Sequence, residues 1–265
     1  MFESIILGVI QGIAEWLPVS SEGLTLLIKT NFFSNGGSVQ DIIGLALWLH
    51  LGTFLAALIY FRKDVFKLIK ALYNFKQASK EEQNTFSFLI TATLISGFLG
   101  FILLSTLTCL ESFLSYTTKA MIFTIGILLL VTAYLQLKTK GKGGLKNIND
   151  LKKKDGIILG IVQGFATLPG LSRSGLTVSA LLLRKFDDQI ALKLSFLMSL
   201  PIVLGGNIIL NLDKFSLSAT SLISLSASFI FGFLTIGILI KVARKVNFGW
   251  FVLGFGILMI ITSLI

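Results

Sequence analysis

Six stretches of the chain hold about 20 mostly apolar residues each, and more polar segments separate them. A helix needs ~20 apolar residues to cross the hydrocarbon core of a bilayer. The pattern therefore predicts six spanning helices, at about 41–61, 86–107, 119–137, 190–211, 218–240 and 247–265.

Two further segments, 1–30 and 156–184, follow a different pattern. Each has a short apolar run, a break at Pro18 or Pro169, a polar turn and a second short apolar run. Runs this short favour re-entrant segments over spanning helices, and irregular backbone at membrane depth is tolerated only where protein or water covers it. We therefore expect two re-entrant helical hairpins. The alternative is that each segment forms one kinked spanning helix.

The cores of these two segments are copies of one another. Residues 157–177 repeat residues 5–25 at a constant offset of 152 positions, with eleven identities. The identical residues of the first copy are Ile5, Ile6, Leu7, Gly8, Gln11, Gly12, Ala14, Ser20, Gly23, Leu24 and Thr25. The copies differ in charge, since the first contains Glu15 and Glu22 and the second contains Arg173. This duplication predicts one site assembled from two halves of the chain.

Composition indicates whether the chain folds in water or in a membrane. Apolar residues make up 54% of the 265 residues and charged residues only 14%, and the mean hydropathy is +0.87. A soluble domain of this size has too little interior to hide so much apolar surface. The composition therefore predicts an all-α integral membrane protein.

Basic residues cluster in three segments, 62–85, 138–155 and 241–245. Short cytoplasmic loops collect Lys and Arg, so these segments are expected in the cytoplasm and both termini outside. The halves 1–137 and 156–265 then have one hairpin and three spans each, and the odd number of spans inverts one half relative to the other. We expect a single membrane domain, 1–265, with 138–155 as the linker. Its net charge of +10 reflects orientation and attraction to anionic membrane lipids, and it needs no nucleic-acid partner.

The second turn, 169–175, has the chemistry of an anion site. Two hydroxyls flank a guanidinium, glycines let a ligand approach the backbone, and the following helix directs its N-terminal N–H groups at the same place. Arginine binds phosphate through two parallel hydrogen bonds and keeps its charge when dehydrated. The expected substrate-binding residues are Ser20, Gly170, Ser172, Arg173, Ser174, Gly175 and Thr177. The alternative is that Arg173 only neutralises Glu15 and holds the hairpins together.

The two acids of the first turn are candidates for the same site. Ionisable side chains at membrane depth are costly and usually face a cavity or one another. Glu15 precedes the break at Pro18, and Arg173 is its expected partner. Glu22 follows the break, where an acid also favours the N-terminal end of a helix. For Glu22, a capping role and a catalytic role are therefore both open.

Three segments resemble the undecaprenyl-diphosphate phosphatase family: QGIAEWLPVSS at 11–21, PGLSRSGLT at 169–177 and LHLGTFLAALIYFRKD at 49–64. The resemblance extends over the whole chain and implies six spanning helices and two re-entrant pairs in an inverted repeat. It also implies hydrolysis of a polyprenyl diphosphate lipid carrier to the monophosphate. By position, Gln11 and Glu15 match the motif associated with catalysis and a divalent cation, Ser21 matches the essential serine, and Arg173 matches the diphosphate-binding arginine.

One position departs from this family. Many bacterial members have a histidine directly after the glycine of the first motif, where this chain has Leu24. The only histidine is His50, in the first predicted span, and we expect it to pack between helices or lie at the rim of the site. Glu22 is the expected acid–base substitute. The wording EWLPVSSEG resembles archaeal members, so the expected carrier is an undecaprenyl or a dolichol-type chain.

Cleavage of a phosphoanhydride needs neutralisation of the developing charge and a positioned nucleophile. The expected catalytic residues are Glu15, Ser21, Glu22 and Arg173, with Gln11 and Glu15 holding Mg²⁺ or Ca²⁺. Either Ser21 or a water attacks, activated by one of the two acids. A competing interpretation is a polyprenyl phosphate transporter or flippase without hydrolysis, because transporters are built from inverted repeats with broken helices. A third interpretation is an anion channel with Arg173 as its filter. The expected assembly is a homodimer.

Overall fold

The computed structural model describes residues 1–33, 39–114, 118–139, 141–168, 170–211 and 218–264. Pro169, one of the two predicted break points, lies outside them. The described residues are all-helical and contain no β-strand. Their helices are α1 (Phe2–Ala14), α2 (Ser21–Phe32), α3 (Val39–Tyr60), α4 (Arg62–Tyr73), α5 (Lys80–Leu114), α6 (Thr118–Thr139), α7 (Lys153–Phe165), α8 (Arg173–Leu183), α9 (Asp188–Asn211), α10 (Ala219–Lys245) and α11 (Gly249–Leu264).

Four of the predicted spans are confirmed as helices long and apolar enough to cross a bilayer. They lie in α5, α6, α9 and α10, at Lys80–Thr106, Ile122–Thr139, Asp188–Ile209 and Ala219–Val242. The predicted span at 41–61 is helical as α3, but it passes the same test only together with α4, from which an 83° bend separates it. α11 is apolar but has only 16 residues. The chain is therefore a multi-pass membrane protein with four to five candidate spans in its described part.

The basic segment 62–85 is largely helical, which corrects its prediction as a loop. α4 occupies its first half, and α5 begins at Lys80. The start of α5 is fixed by a reciprocal pair of hydrogen bonds: Glu82 donates its N–H to Ser79 Oγ at 3.3 Å, and Ser79 donates its N–H to the Glu82 carboxylate at 2.9 Å. This capping box is visible in the sequence as Ser-x-x-Glu before an apolar run.

Each duplicated segment folds into two short helices separated by a turn. The first copy forms α1 and α2, and the second forms α7 and α8. Ser20 accepts the N–H of Gly23 at 3.1 Å, and Ser172 accepts the N–H of Gly175 at 3.2 Å. The same serine cap therefore starts the second helix of both copies, since a serine oxygen satisfies an N–H group that has no partner within the helix.

Glycines let the first helix of each copy pack closely against a long helix of the other half. A Cβ at Gly12 in α1 would lie 2.8 Å from the carbonyl oxygen of Ser228 in α10, and one at Gly160 in α7 would lie 2.8 Å from the Cβ of Ile95 in α5. Small residues allow such approaches between helices in a bilayer. Each half is therefore packed into the other.

The last helices of the two halves, α6 and α11, contact each other reciprocally. A Cβ at Gly126 would lie 3.0 Å from the carbonyl oxygen of Gly256, and a Cβ at Gly256 would lie 3.1 Å from the carbonyl oxygen of Gly126. Glycines in both helices therefore let α6 and α11 approach each other at backbone distance.

Replacing Gly160 with valine should destabilise the fold, because the added side chain must displace Ile95 and the backbone of Ala92. Overpacking of this kind costs about 1–3 kcal/mol, which should lower the thermal unfolding midpoint by several degrees. Gly254→Val in α11 is the matched control, since a Cβ there has nothing within 4 Å. The measurement is thermal unfolding of both purified variants in detergent, and equal midpoints would contradict the close packing of α7 on α5.

Candidate active site

The turns of the two copies lie side by side and enclose a polar pocket inside the bundle. The first copy supplies one wall and the second copy the other, while α3 adds its single histidine. The lining residues are Glu15, Val19, Ser20, Ser21, Glu22, His50, Ala166, Leu171, Ser172, Arg173 and Ser174. The prediction of one site built from two halves is consistent with this pocket.

Glu15 is the centre of the polar contacts. Its carboxylate is buried at the end of α1. It accepts hydrogen bonds from Gln11 Nε2 at 2.9 Å and from Ser21 Oγ at 3.0 Å. His50 Nε2 lies 3.2 Å from the same Oε2 atom, and Arg173 pairs with the other oxygen. One carboxylate therefore connects both turns and α3.

Arg173 uses only part of its hydrogen-bonding capacity. Its Nη2 pairs with Glu15, whereas its Nη1 is buried without a hydrogen-bond partner among the described residues. A buried donor without an acceptor is costly, and a guanidinium is suited to bind two acceptors side by side. Because Arg173 lines the pocket, its unpartnered Nη1 points to an anionic ligand. The alternative, in which Arg173 only neutralises Glu15, leaves this nitrogen unexplained.

Serine hydroxyls line the same pocket as Arg173. Ser172 Oγ lies 3.5 Å from Ser174 Oγ, and Ser174 Oγ donates to the carbonyl oxygen of Leu17 in the first turn at 3.2 Å. Ser20, Ser172 and Ser174 all line the pocket. These hydroxyls, together with the N-terminal end of α8, can offer hydrogen bonds to the oxygens of a phosphate group.

Three of the predicted binding residues lie behind the pocket. A Cβ at Gly170 would lie 2.8 Å from the backbone of Ile125, and the φ angle of Gly170 is +100°, so the turn needs glycine for both reasons. Gly175 lies against Gln136 of α6. Thr177 is fully buried and lies 2.7 Å from Ser195 Oγ. These residues shape the turn and α8, while Ser20, Ser172, Arg173 and Ser174 reach the pocket.

His50 lines the pocket, which is the second of the two positions expected for it, the rim of the site. Its Nδ1 lies 2.6 Å from the carbonyl oxygen of Ala46. Because a carbonyl only accepts, the hydrogen of that contact lies on Nδ1. The other ring nitrogen, Nε2, then faces the Glu15 carboxylate at 3.2 Å. The signal that could have identified His50 is its position as a lone ionisable residue in an apolar span.

Glu22 lines the same pocket from the first turn of α2. The cap of α2 is Ser20, whose oxygen accepts the N–H of Gly23. The hydrogen bond that an N-terminal cap provides is therefore already made by a neighbour. The Glu22 carboxylate is therefore not needed as the cap of α2. Its capping role and its catalytic role both remain predictions.

The predicted cation ligands do not fit a metal ion in this arrangement. Gln11 directs its amide nitrogen, a donor, at Glu15, and both Glu15 oxygens already accept from protein groups. Among the residues that the structure describes, no three His, Cys, Asp or Glu side chains are grouped to hold a metal. The Mg²⁺ or Ca²⁺ therefore stays a prediction, and the chemistry below takes no step through it.

Comparison with known proteins gives consistent matches over nearly the whole chain. The family model of the bacitracin resistance protein BacA matches residues 4–260. A protein of Methanococcoides burtonii named undecaprenyl-diphosphatase is 42% identical over 264 residues, which are 98% of this chain and 97% of that protein. Proteins of the same name from Methanothrix thermoacetophila and Desulforudis audaxviator are 34% and 31% identical, over 97% and 95% of this chain and 94% and 92% of their own.

Proposed function

The chain belongs to the bacitracin resistance protein BacA family, and on that premise we propose that it hydrolyses a polyprenyl diphosphate to the monophosphate and inorganic phosphate. The observation that carries the proposal is the buried, unpartnered Nη1 of Arg173. Arg173 lines the same pocket as Ser21, whose hydroxyl is hydrogen-bonded to the Glu15 carboxylate. The relatives named undecaprenyl-diphosphatase support this substrate class. The lipid chain is undecaprenyl or dolichol-type, and it would lie between the helices while its diphosphate occupies the pocket.

We infer six spanning helices and two re-entrant hairpins in an inverted repeat. The packing of α1 on α10 and of α7 on α5, and the reciprocal contact of α6 with α11, support it. α3, which ends at the bend before α4, supplies the fifth span. α11 supplies the sixth, since a bilayer can thin locally around a short helix. The basic segments 62–85, 138–155 and 241–245 are cytoplasmic and both termini lie outside.

The depth of the pocket supports re-entrant hairpins. His50 precedes the end of α3 at Tyr60 by ten residues, which is ~15 Å of helix. Arg173 precedes Arg184, at the end of α8, by a similar distance. Both distances are about half of the ~30 Å hydrocarbon thickness. The proposed site therefore lies near the bilayer midplane, where hairpins entering from opposite faces would meet.

Arg173 is proposed to hold the diphosphate. Its free Nη1 binds a phosphate oxygen, and the hydroxyls of Ser172 and Ser174 and the N-terminal N–H groups of α8 bind others. These groups are fixed before the substrate arrives, because Glu15 orients the guanidinium and Leu17 orients Ser174. Preorganised donors stabilise the negative charge that develops on the phosphate oxygens during cleavage.

Ser21 is the proposed nucleophile. Its hydroxyl already donates to Glu15 at 3.0 Å, so its proton has an acceptor when the oxygen attacks the terminal phosphorus. The bond between Ser21 and phosphorus forms as the bond from that phosphorus to the bridging oxygen breaks, and the polyprenyl monophosphate leaves with the electron pair. A water then cleaves the phosphoserine, releases inorganic phosphate and returns a hydrogen to Ser21. Direct attack by a water held at Glu15 is the alternative.

His50 is proposed to carry the proton. Its Nε2 contacts the same Glu15 oxygen that accepts from Ser21, so a proton released by Ser21 arrives next to the imidazole. Leu24 occupies the position at which many bacterial members have a histidine, and His50 reaches the same carboxylate from α3. Glu22, which follows Ser21 in the chain and also lines the pocket, is the competing candidate for this proton.

Phosphate release from purified protein in detergent, given farnesyl diphosphate, tests the proposed function. We expect release by the native chain, and about a 100-fold or larger loss for Arg173→Lys, the effect of removing one charge-stabilising donor. Lysine keeps the charge but not the planar fork, and an unchanged unfolding midpoint shows that the variant is folded. The same assay with and without a chelator tests the divalent cation. Absence of phosphate release, together with movement of the lipid between vesicle leaflets, would favour the transporter.

The pH dependence of turnover separates His50 from Glu22. If His50 carries the proton, His50→Gln should lower kcat and remove a limb of the pH–rate profile, because glutamine can donate to Glu15 but cannot titrate. Glu22→Gln should then keep the wild-type shape of the profile. The opposite result, in which only Glu22→Gln removes the limb, would assign the proton transfer to Glu22 and leave His50 as a positioning residue for Glu15.

A further inference from the structure

α4 has an apolar side that the described structure leaves uncovered. Phe66, Ile69 and Tyr73 follow one another at intervals of three and four residues, which places them on one side of a helix. They are 69%, 49% and 79% exposed. The neighbouring apolar side is already in use, since Val65 and Leu68 pack against the hydrophobic core. The exposed apolar side is therefore additional to what the fold requires.

A basic side flanks the exposed apolar side. Lys63, Lys67 and Lys70 are also spaced by four and three residues, and all three are exposed. The helix thus has one side that packs against the protein core, one exposed apolar side and one exposed cationic side. This division is typical of helices that lie in a membrane interface, with the apolar side among acyl chains and lysines at the headgroups.

The direction of α4 fits the same location. An 83° bend separates it from α3, the inferred fifth span. A helix almost perpendicular to a spanning helix lies along the plane of the membrane. Asp64 of α4 lies 2.6 Å from Lys193 of α9, so the helix is held at this angle against a second candidate span.

We propose that α4 is an interfacial helix that binds the anionic lipid surface of the cytoplasmic leaflet. Phe66, Ile69 and Tyr73 insert among the acyl chains, and the three lysines contact the phosphate headgroups. A second copy of this chain fits less well, because a symmetric contact through this side would bring two lysine sets together. The anchored α4 sets the height of α3 in the bilayer, and with it the depth of His50.

Spin labels on single cysteines test the proposal in vesicles of phosphatidylcholine and phosphatidylglycerol, after Cys109, the only native cysteine, is replaced by serine. Labels at Phe66 and Ile69 should collide with oxygen, which partitions into lipid, and be shielded from a water-soluble nickel complex. Labels at Lys67 and Lys70 should show the reverse. Phe98 on α5, 71% exposed, is the lipid-facing control, and Lys153, exposed at the start of α7, is the aqueous control.

Two outcomes would overturn the proposal. Labels at Phe66 and Ile69 that resemble the Lys153 control would show that α4 stands in water. Immobile labels shielded from both reagents would show that protein, such as a second copy, covers this side.

The contact of the lysines with headgroups has its own test. Lys63→Gln, Lys67→Gln and Lys70→Gln together should lower the oxygen-to-nickel ratio at Ile69. The matched control, in which Lys152, Lys153 and Lys154 are changed to glutamine, should leave the ratio at Ile69 unchanged. Equal ratios in the two triple variants would contradict the headgroup contact.

Discussion

The ion pair between Glu15 and Arg173 is the contact on which the arrangement of the pocket depends. It joins the end of α1 to the start of α8, which belong to different halves of the chain. In apolar surroundings neither charge is tolerated without the other, so the two turns are held together. Ser174 and Gln136 add hydrogen bonds to backbone carbonyls of the first turn. Through Glu15, the same pair also fixes Ser21 and His50.

The two copies kept one fold and divided the chemistry. Both use a serine cap after the turn and glycines on the first helix. Gln11 donates to Glu15, whereas its counterpart Gln163 donates to Ser96 at 3.1 Å, because threonine replaces the acid at position 167. The first copy therefore carries the acids and the second the cation. Both copies therefore keep the same backbone geometry, whereas each charged group of the site is present in only one copy.

The sequence was most informative where one physical rule decides the outcome. Long apolar runs predict α5, α6, α9 and α10, and the cost of a lone buried charge predicts the partner of Glu15. The contact of His50 with Glu15 could not be predicted, because it depends on how α3 rotates against its neighbours. The helical form of most of 62–85 was not predicted, because its lysines indicate a cytoplasmic segment, whereas α4 is indicated only by the spacing of its apolar residues. The inward direction of Thr177 depends on Ser195, which is distant in sequence from the turn.

A double-mutant cycle on Glu15 and Arg173 tests the central claim most directly. Glu15→Gln, Arg173→Gln and the double variant are unfolded in detergent, with Asp64→Asn and Lys193→Gln as the control cycle for a half-exposed pair. Glu15→Gln should cost about 3–5 kcal/mol, because it leaves Arg173 unpaired. Arg173→Gln should cost less, because His50 still contacts the Glu15 carboxylate. The double variant should lose less unfolding free energy than the two single variants together, by about 1–3 kcal/mol. The corresponding difference for the control pair should be ~1 kcal/mol or less. Additive effects at Glu15 and Arg173 would contradict the account.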